Sequence, residues 1–313
     1  MNKDQYFSIR APARIHTALL NESGYLNRID GSIGFVVDRP YWDITISADK
    51  SCMNLSHLDS ELVPRLLETV AIFEIQFKLQ IGVSISGEIP IHSGLGSKTS
   101  LLMGVGNAIS ELFNLNLHPP EIAAIVKRGG TSGLGIWAGS KRGFLWDAGR
   151  QYPNQKSTFS PSSTSIAKAP KLISNISIGE FSICHFRFTD RGISGISEQS
   201  VFTNNCPLPE NEAIEALAIV GGGILPALLE KDIVNIQAPL RSLQRIGLKK
   251  IEWDLQSSVT KEFRSYWEKC VPDITLCLSS MGPTLYCLTD RPDFIKYIVE
   301  NFYADPFHFI ITS

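Results

Sequence analysis

The sequence has few cysteines, no Cys-x-x-Cys pair and no excess of charge of either sign. Its 313 residues include six cysteines, and 29 Lys and Arg against 31 Asp and Glu leave a formal net charge of −2. A nearly neutral chain lacks the basic footprint of a nucleic-acid-binding protein, so no nucleic-acid partner is expected. The scattered cysteines and histidines indicate neither a zinc site nor a disulfide framework, and they favour reduced thiols in the cytoplasm.

Long hydrophobic runs are also missing. The segment Met1–Phe7 is polar, which is unlike a signal peptide, and no stretch of about 18 uncharged apolar residues is present, so no membrane helix is expected. Hydrophobic residues make up 43% of the chain and charged residues 19%. That balance is typical of a globular protein with a sizeable core, arranged as one large domain or two ordinary ones.

A glycine-rich loop that leads into an apolar helix is the most informative feature present. Gly94 and Gly96 precede a helix predicted over 97–113, whose first N–H groups have no intrahelical partners and whose dipole is positive at that end. Hydroxyl and ammonium groups crowd the same point: Ser97, Lys98 and Thr99. The combination predicts a phosphate or diphosphate site.

Two better-known phosphate motifs do not fit this loop. A P-loop would need glycine at His92 and at Ser97. The dinucleotide-binding fingerprint would need a small residue, Gly or Ala, at Thr99. A simple turn of the chain remains the alternative to a phosphate site at this stage.

Periodicity along the chain predicts an α+β fold with two lobes, because strands and helices mix without strict βαβ alternation. Strands are predicted over 6–14, 35–37, 42–48, 81–86, 143–147, 181–188, 274–279, 284–288 and 307–312, with a loop over 26–34. Helices are predicted over 61–77, 97–113, 120–127, 212–230, 232–245, 259–270 and 292–301. The helix over 212–230 is expected to be interrupted or kinked at the glycines 221–223 and at Pro226. The expected organisation is an N-terminal lobe over 1–150, a polar flexible linker or lid over 151–172 and a C-terminal lobe over 173–313.

Four further segments combine glycine with arginine or hydroxyl side chains, so that the backbone could approach a ligand closely. They are 13–16 together with 28–31, then 127–135, 189–198 and 279–284. Their arginines offer planar forks for phosphate or carboxylate oxygens. Structural alternatives stay open here: surface ion pairs for the arginines, a core position for His16, a plain hairpin turn at 279–284 and a solvent-facing Glu198.

In their order along the chain these segments resemble the beta-ribofuranosylaminobenzene 5′-phosphate synthase family. The matching motifs are Pro12-Ala-Arg-Ile-His16, Asp30-Gly-x-Ile-Gly34, His92-x-Gly-Leu-Gly-Ser97, Arg128-Gly-Gly-Thr-Ser-Gly133, Arg191-Gly-Ile-Ser-Gly-x-x-Glu198 and Met281-Gly-Pro-Thr284. The resemblance covers nearly the whole chain. It implies the two-lobed α+β fold of the galactokinase, homoserine, mevalonate and phosphomevalonate (GHMP) kinase superfamily.

The resemblance also implies a reaction. Family members use 5-phosphoribosyl 1-diphosphate (PRPP) as ribosyl donor and an aromatic carboxylic acid, such as 4-aminobenzoate or 4-hydroxybenzoate, as acceptor. Diphosphate and CO2 leave, and a C-riboside 5′-phosphate remains. The chemistry of this reaction adds an expected Mg2+ ion that bridges the diphosphate, and no organic cofactor. Small-molecule partners are expected, with no membrane partner, and a homodimer is compatible with such folds.

The expected site residues come from the glycine-rich segments and from the family motifs together. The expected catalytic residues are Arg14, His16, Arg191, Ser194 and Glu198. The expected diphosphate and phosphate site consists of Gly94, Gly96, Ser97, Lys98, Thr99, Arg128, Gly129, Gly130, Thr131, Ser132 and Gly133. Further substrate contacts are expected from Arg28, Asp30, Ser280, Gly282 and Thr284, and no metal ligand is specified.

Three alternatives stay open. This chain has Lys98-Thr99-Ser100 where the family usually carries Gly-Thr-Gln, inside the diphosphate loop, so a C-nucleoside synthase that uses a heteroaromatic acid is one alternative. An ATP-dependent small-molecule kinase of the same fold is the second. A non-catalytic sensor of a phosphorylated ligand is the third.

Overall fold

Two antiparallel sheets organise the protein, for which a computed structural model describes residues 5–162, 164–165, 167–188, 192, 196–303 and 307–312. The first sheet has the order β1-β2-β4-β6, and β3 and β5 also pair with β2. Its strands are β1 (Tyr6–Asn21), β2 (Arg28–Ser47), β3 (Gly82–Gly87), β4 (Gly143–Asp147), β5 (Arg150–Gln151) and β6 (Leu172–Ile176). The second sheet has the order β10-β7-β9-β8. Its strands are β7 (Ser182–Arg187), β8 (Cys277–Leu278), β9 (Leu285–Thr289) and β10 (Phe307–Thr312).

Helices cover these sheets, and the mixture confirms the predicted α+β class. They are α1 (Val63–Phe77), α2 (Ser97–Leu112), α3 (Pro119–Ile125), α4 (Leu134–Trp137), α5 (Ile196–Asn205), α6 (Glu210–Ile219), α7 (Leu225–Glu230), α8 (Gln237–Leu243), α9 (Gly247–Asp254), α10 (Ser258–Cys270) and α11 (Pro292–Phe302). The sequence did not indicate α4, α5, α9, β5 or β6. Short elements of this kind carry too few residues for a clear periodicity.

The loop expected over 26–34 is wrong for most of its length, because β2 begins at Arg28. Asp30 and Gly31 have positive φ angles of 64° and 73°. Asp30 nevertheless pairs with Asn21 in the antiparallel ladder with β1. Their polar and glycine character suggests a turn, but both residues lie within the strand, and the register against β1 does not shift between the Leu19–Ser32 and Asn21–Asp30 pairs.

One hydrophobic core joins the two halves of the chain. Helix α2 packs on β1 and β2 and buries Leu101, Met103 and Val105. The same core cluster includes Tyr286 of the second sheet. The Tyr286 hydroxyl donates to Thr17 Oγ1 on β1 at 2.7 Å. The sheets are therefore held in a fixed relation, which positions the loops at their junction.

The helical stretch Glu210–Glu230 is interrupted where the sequence predicted it. A π-helical turn, Val220–Ile224, separates α6 from α7 at the glycines. Among the described residues this stretch alone is long and apolar enough to cross a membrane by length and composition, although no membrane helix was expected. Core helices have the same composition, and here Val220, Ile224 and Leu228 are buried in the shared core.

Candidate active site

A cavity of about 400 Å³ lies where the glycine-rich loop, β1, Arg128 and the turn between β8 and β9 meet. This volume is within the range of small-molecule sites. Its lining includes Arg14, His16, Glu61, His92, Gly94, Gly96, Ser97, Lys98, Thr99, Arg128, Thr131, Ser132, Glu198, Phe202, Glu252, Ser280, Met281 and Gly282. Segments far apart in the sequence thus converge on one volume.

Backbone conformation and close packing shape the glycine-rich loop. Gly94 and Gly96 have φ angles of 84° and 75°, which side chains rarely tolerate. A Cβ atom on Gly94 would lie 2.3 Å from the Ser279 carbonyl oxygen, and one on Gly96 would lie 3.0 Å from the Arg14 guanidinium carbon. The loop is therefore pressed against both β1 and the turn after β8. Gly96 is the N-cap of α2, whose first N–H groups face this region.

Two half-buried guanidinium groups, those of Arg14 and Arg128, form the cationic part of the cavity. Arg14 Nη1 donates to the Gly94 carbonyl at 2.7 Å. Arg128 donates from Nε and Nη2 to Thr99 Oγ1, at 3.0 and 2.8 Å. Burial, then the neighbouring Arg128, lowers the pKa of Arg14 to about 10, while Glu198 acts in the opposite direction. Both groups are charged at neutral pH, and their mutual repulsion favours an anion between them.

The pKa of Arg128 is also lowered. Burial is the largest cause that lowers its pKa to about 10, and Arg65 adds to it. The Thr99 hydroxyl oxygen accepts both bonds from Arg128, so its own proton is available to a further acceptor. Thr99 and Arg128 thus act as one donor group at the beginning of α2.

A second polar cluster, made of Glu61, His92 and Lys98, lies on the other side of the loop. His92 Nε2 lies 2.8 Å from Glu61 Oε1, and Lys98 Nζ lies 3.6 Å from the same oxygen. The hydrogen bond with His92 is the main cause that lowers the pKa of Glu61. Lys98 therefore enters the cavity with a carboxylate partner, which reduces the charge that it presents to a ligand.

The turn between β8 and β9 is bonded to the opposite wall. Ser279 Oγ donates to the Gly94 carbonyl at 2.8 Å, and Ser280 N donates to the His16 carbonyl at 2.8 Å. Lys249 Nζ donates to the Ser280 carbonyl at 3.3 Å. These bonds fix Ser280 and Gly282 at the cavity surface.

His16 is buried beneath this turn. Burial, followed by the charges of Arg14 and Lys249, lowers its pKa well below the usual value. Its Nδ1 atom is buried without a hydrogen-bond partner among the described residues. A neutral imidazole with an unused ring nitrogen can bond to a substrate, but it does not serve as a cationic acid at neutral pH.

Carboxylates complete the lining. Burial, and then the neighbouring Glu252, raises the pKa of Glu198, while Arg128 and Arg14 lower it. Glu252 forms a close ion pair with Lys249 on the same helix, α9. Glu198 therefore lies within the electrostatic field of both cavity arginines.

The cavity brings together most of the residues that the sequence indicated. Those that line it are Arg14, His16, Gly94, Gly96, Ser97, Lys98, Thr99, Arg128, Thr131, Ser132, Glu198, Ser280 and Gly282. Arg191 and Ser194 lie outside the described residues. Their neighbour Gly192 is described, and its N–H donates to the His92 carbonyl at 2.7 Å.

Asp30 and Arg28 are not at the cavity, which corrects the expected substrate contacts. Asp30 is fully buried in an ion cluster, 2.6 Å from Arg150 Nη1 and 2.7 Å from Lys156 Nζ. Arg28 donates from Nη2 to the Ala148 carbonyl at 2.6 Å. The polar motif around position 30 stabilises the fold, because a buried carboxylate needs cationic partners.

The segment 129–133 is also largely structural. Gly133 N donates to Asp147 Oδ2 at 2.9 Å, and Gly129 accepts a close bond from Arg150. Thr131 Oγ1 donates to the Ser160 carbonyl at 2.6 Å. Gly129, Gly130 and Gly133 do not line the cavity, so only Arg128, Thr131 and Ser132 of this segment remain from the expected phosphate site.

Thr284 is likewise away from the cavity lining. Its backbone N–H donates to the Ser93 carbonyl at 3.2 Å, so it supports the glycine-rich loop from behind. The segment expected as a linker or lid contributes Pro161 and Ser162 to the cavity wall. Its Lys156 is buried against Asp30.

Sequence reasoning missed Glu61, Phe202 and Glu252 as cavity residues. Glu61 precedes α1 and resembles any acid near the beginning of a helix. Phe202 and Glu252 belong to α5 and α9, whose existence was not predicted. The only available signal was indirect, since Glu252 follows Lys249 at a spacing that places both on one helix face.

Comparison with known proteins identifies the fold. Residues 62–137, which include the glycine-rich loop and α2, match the model of the GHMP kinases N terminal domain. The chain is similar in fold to phosphomevalonate kinase of Streptococcus pneumoniae, with a TM-score of 0.71, 12% identity and coverage of 98% of this chain and 99% of that one. This confirms the predicted fold.

Relatives found by sequence identify the family more narrowly than the fold does. The chain is 33% identical to the beta-ribofuranosylphenol 5′-phosphate synthase of Methanocaldococcus jannaschii, over 94% of this chain and 91% of that protein. It is 31% identical to the protein of the same name from Archaeoglobus fulgidus, over 90% of this chain and 87% of that one. The chain therefore belongs to the beta-ribofuranosylphenol 5′-phosphate synthase family, as an enzyme of pentosyltransferase type built on the GHMP kinase fold.

Proposed function

We propose that this enzyme transfers the ribosyl group of PRPP to a ring carbon of an aromatic carboxylic acid, with release of diphosphate and CO2. The observation that carries the proposal is the pair of neighbouring, half-buried guanidinium groups, Arg14 and Arg128, at the beginning of α2. These two cations share one carboxylate, Glu198, and are matched by a ligand that carries several negative charges.

The donor would bind with its diphosphate at the beginning of α2. There the N–H groups of the first helical turn, the Thr99 hydroxyl and the Arg128 guanidinium can donate to phosphate oxygens. As the bond from the anomeric carbon to diphosphate breaks, negative charge grows on the leaving group. Donors that are already fixed by protein contacts stabilise that charge without reorganisation.

The acceptor reacts through the ring carbon that carries its carboxylate. The ring electrons form the new C–C bond to the anomeric carbon, the carboxylate leaves as CO2, and its bond electrons restore aromaticity, so no base has to remove a ring proton. The relatives are named for a ribosylated phenol, which favours a 4-hydroxybenzoate-type acid over 4-aminobenzoate. Neutral His16, with its unused Nδ1, is a candidate to orient one of the substrates.

A magnesium ion fits the donor set of the cavity. The described residues contain no group of three or more His, Cys, Asp or Glu that could hold a metal on their own. Mg2+ is commonly bound by one or two carboxylates together with substrate phosphates. Glu61 and Glu252 are paired with His92 and Lys249, so Glu198 is the carboxylate that would hold the ion. When bound, the ion would neutralise part of the diphosphate charge.

A cytoplasmic location is part of the same proposal. All six cysteines are free thiols, three of them buried. Free thiols are typical of a reducing compartment, where a phosphorylated sugar donor would also be found.

The test is an incubation of the purified protein with PRPP, Mg2+ and carboxyl-labelled 4-hydroxybenzoate. We expect diphosphate and labelled CO2 in equal amounts, and a C-riboside 5′-phosphate by mass spectrometry. Parallel reactions contain 4-aminobenzoate or a heteroaromatic acid, and they distinguish the acceptor classes.

A further reaction contains ATP and alcohol or sugar acceptors in place of PRPP. Release of ADP there, together with no diphosphate release from PRPP with any aromatic acid, would overturn the proposal in favour of a kinase. Glu198→Gln should raise the Mg2+ concentration needed for half-maximal activity, while unchanged Mg2+ dependence would contradict the assigned metal ligand.

A further inference from the structure

A second cavity, of about 220 Å³, lies in the C-terminal half of the chain, away from the candidate active site. It is formed by the end of α8, by α10 and by the segment that leads into β8. Its lining is Arg241, Gln244, Arg245, Arg264, Trp267, Glu268, Val271, Pro272, Ile274, Thr275 and Leu276. None of these residues lines the active-site cavity.

The side chains at this cavity are mostly hydrogen-bond donors. Three arginines line it against one carboxylate, that of Glu268. Glu268 lies 3.6 Å from Arg264 Nε and 3.9 Å from Arg245 Nη2, so it is shared between two guanidinium groups. Arg241 Nη2 donates to the Pro272 carbonyl at 2.6 Å, which fixes its side chain along the rim.

Arg264 is further immobilised by stacking. Its guanidinium carbon lies 4.3 Å from the centre of the Trp253 ring. The Asp254 carboxylate also favours the charged form of Arg264, which burial disfavours. Even with Asp254 included, three cations face two anions, so the local charge remains positive.

A buried amide group supplies an independent indication of a ligand. The side chain of Gln244 is almost completely buried, and its Oε1 accepts from Trp253 Nε1 and from Leu278 N, both at 3.0 Å. Both partners are donors only, so the orientation of the amide is fixed. Its Nε2 is buried without a hydrogen-bond partner among the described residues. A buried donor that lacks an acceptor is costly, and a bound anion would satisfy it.

We propose that this cavity is a second anion site, which binds a phosphate or diphosphate group through Arg241, Arg245, Arg264 and the Gln244 amide. Arginine forks and a neutral amide donor are suited to tetrahedral oxyanions with several oxygen atoms. The site goes beyond the proposed function, because it lies outside the active-site cavity. Gln244 also bonds to Leu278, directly before the Ser279–Gly282 turn, so the site is connected to the active site through β8.

The test is isothermal titration of the full-length protein with inorganic diphosphate and, separately, with inorganic phosphate. Wild-type protein, Arg245→Ala, Arg128→Ala and the control Arg142→Ala are compared. Arg245 and Arg142 are exposed to similar extents, with 58% and 56% of their side-chain surface accessible, so Arg142→Ala controls for loss of a surface charge.

We expect two binding events for diphosphate in the wild-type protein and in Arg142→Ala. Arg245→Ala should weaken one event by about tenfold or more, the effect of a lost hydrogen bond to a charged group. Arg128→Ala should weaken only the other event. If phosphate binds at the second site and diphosphate does not, the ligand is a monophosphate.

Two results would overturn the proposal. One is a wild-type protein that shows, with diphosphate and with phosphate alike, no event beyond the one that Arg128→Ala removes, since all binding would then belong to the active site. The other is a second event that Arg245→Ala and Arg241→Ala leave unchanged. A crystal soaked with diphosphate, showing density beside Gln244 Nε2, would locate the anion directly.

Discussion

At the scale of single residues, the same side-chain type has different roles in this protein. Arg14 and Arg128 line the cavity, whereas Arg150 is buried against Asp30, and Arg28 bonds to a backbone carbonyl. The sequence indicates four arginines in glycine-containing segments, Arg14, Arg28, Arg128 and Arg191, and offers no basis for ranking them. Their roles depend on which carboxylates and carbonyls the fold places nearby.

The first prediction concerns the cationic side chains of the donor site. Arg128→Ala should lower kcat/KM for the donor by about 10- to 100-fold, because a charge-assisted hydrogen bond contributes about 1.5–3 kcal/mol. Lys98→Ala should also weaken donor use, but less, since Glu61 already compensates its charge. Steady-state kinetics with PRPP measure both effects. Donor kinetics like those of the wild-type protein in both variants would contradict the assigned site.

The second prediction tests the structural role of Asp30. Lys156→Ala removes one of two cationic partners of this buried carboxylate and should lower the free energy of unfolding by about 3 kcal/mol. Denaturant unfolding measures the loss. The exposed Lys168→Ala in the same segment is the control. A KM for PRPP that rises strongly in a fully folded Lys156→Ala would instead place Asp30 in the substrate site.

At the scale of elements, the loop before α2 and the turn after β8 depend on each other. The Gly94 carbonyl accepts from both Arg14 and Ser279, and the loop has no room for a side chain at this position. The sequence indicated both elements as ligand-binding segments. Their direct contact could not be predicted, because it joins residues separated by 185 positions.

The third prediction compares two glycines. Gly94→Ala should lower the free energy of unfolding by about 1–3 kcal/mol, because it combines a strained backbone with a contact of 2.3 Å, and it should weaken donor binding. The control is Gly222→Ala in the π-helical turn, where no atom lies within 4 Å of the added Cβ. That variant should be neutral, or more stable by up to about 1 kcal/mol. Equal stability of the two variants in thermal and denaturant unfolding would contradict the packing described for the loop.

At the scale of the whole molecule, a buried histidine between the two sheets makes the stability of the fold depend on pH. Burial lowers the pKa of His185 to about 4, and its Nε2 lies 2.9 Å from the Arg39 carbonyl oxygen. Strand β7 thereby contacts the segment around Arg39 in β2. Burial opposes charging of this imidazole, and the bond to the Arg39 carbonyl only partly offsets that effect on the pKa of His185.

The fourth prediction is a pH dependence of stability. The unfolded chain takes up a proton on His185 near pH 6.5, whereas the folded protein does so near pH 4. At this group the unfolded state therefore binds more protons between these values, so His185 by itself should lower the free energy of unfolding by about 3 kcal/mol as pH drops from 6.5 to 4. Buried His16 acts in the same direction. Asp147, whose pKa burial raises to about 6, acts in the opposite direction.

Unfolding curves at several pH values check this prediction. His185→Gln keeps a side-chain donor and should have a smaller loss of stability between pH 6.5 and 4, whereas the exposed His57→Gln should behave like the wild-type protein. A slope that His185→Gln leaves unchanged would assign the acid sensitivity to other groups.

The α+β class, the family and the glycine-rich loop before α2 can be predicted from the residues alone, because they depend on local periodicity and on short motifs whose backbone requirements are visible in the chain. The three-dimensional arrangement alone decided that Arg14, Arg128, Glu198 and Ser280 share one cavity while Asp30 and Arg28 do not. The physical reason is that a buried charge takes its role from the partners around it, and those partners come from distant strands and helices that no local pattern connects.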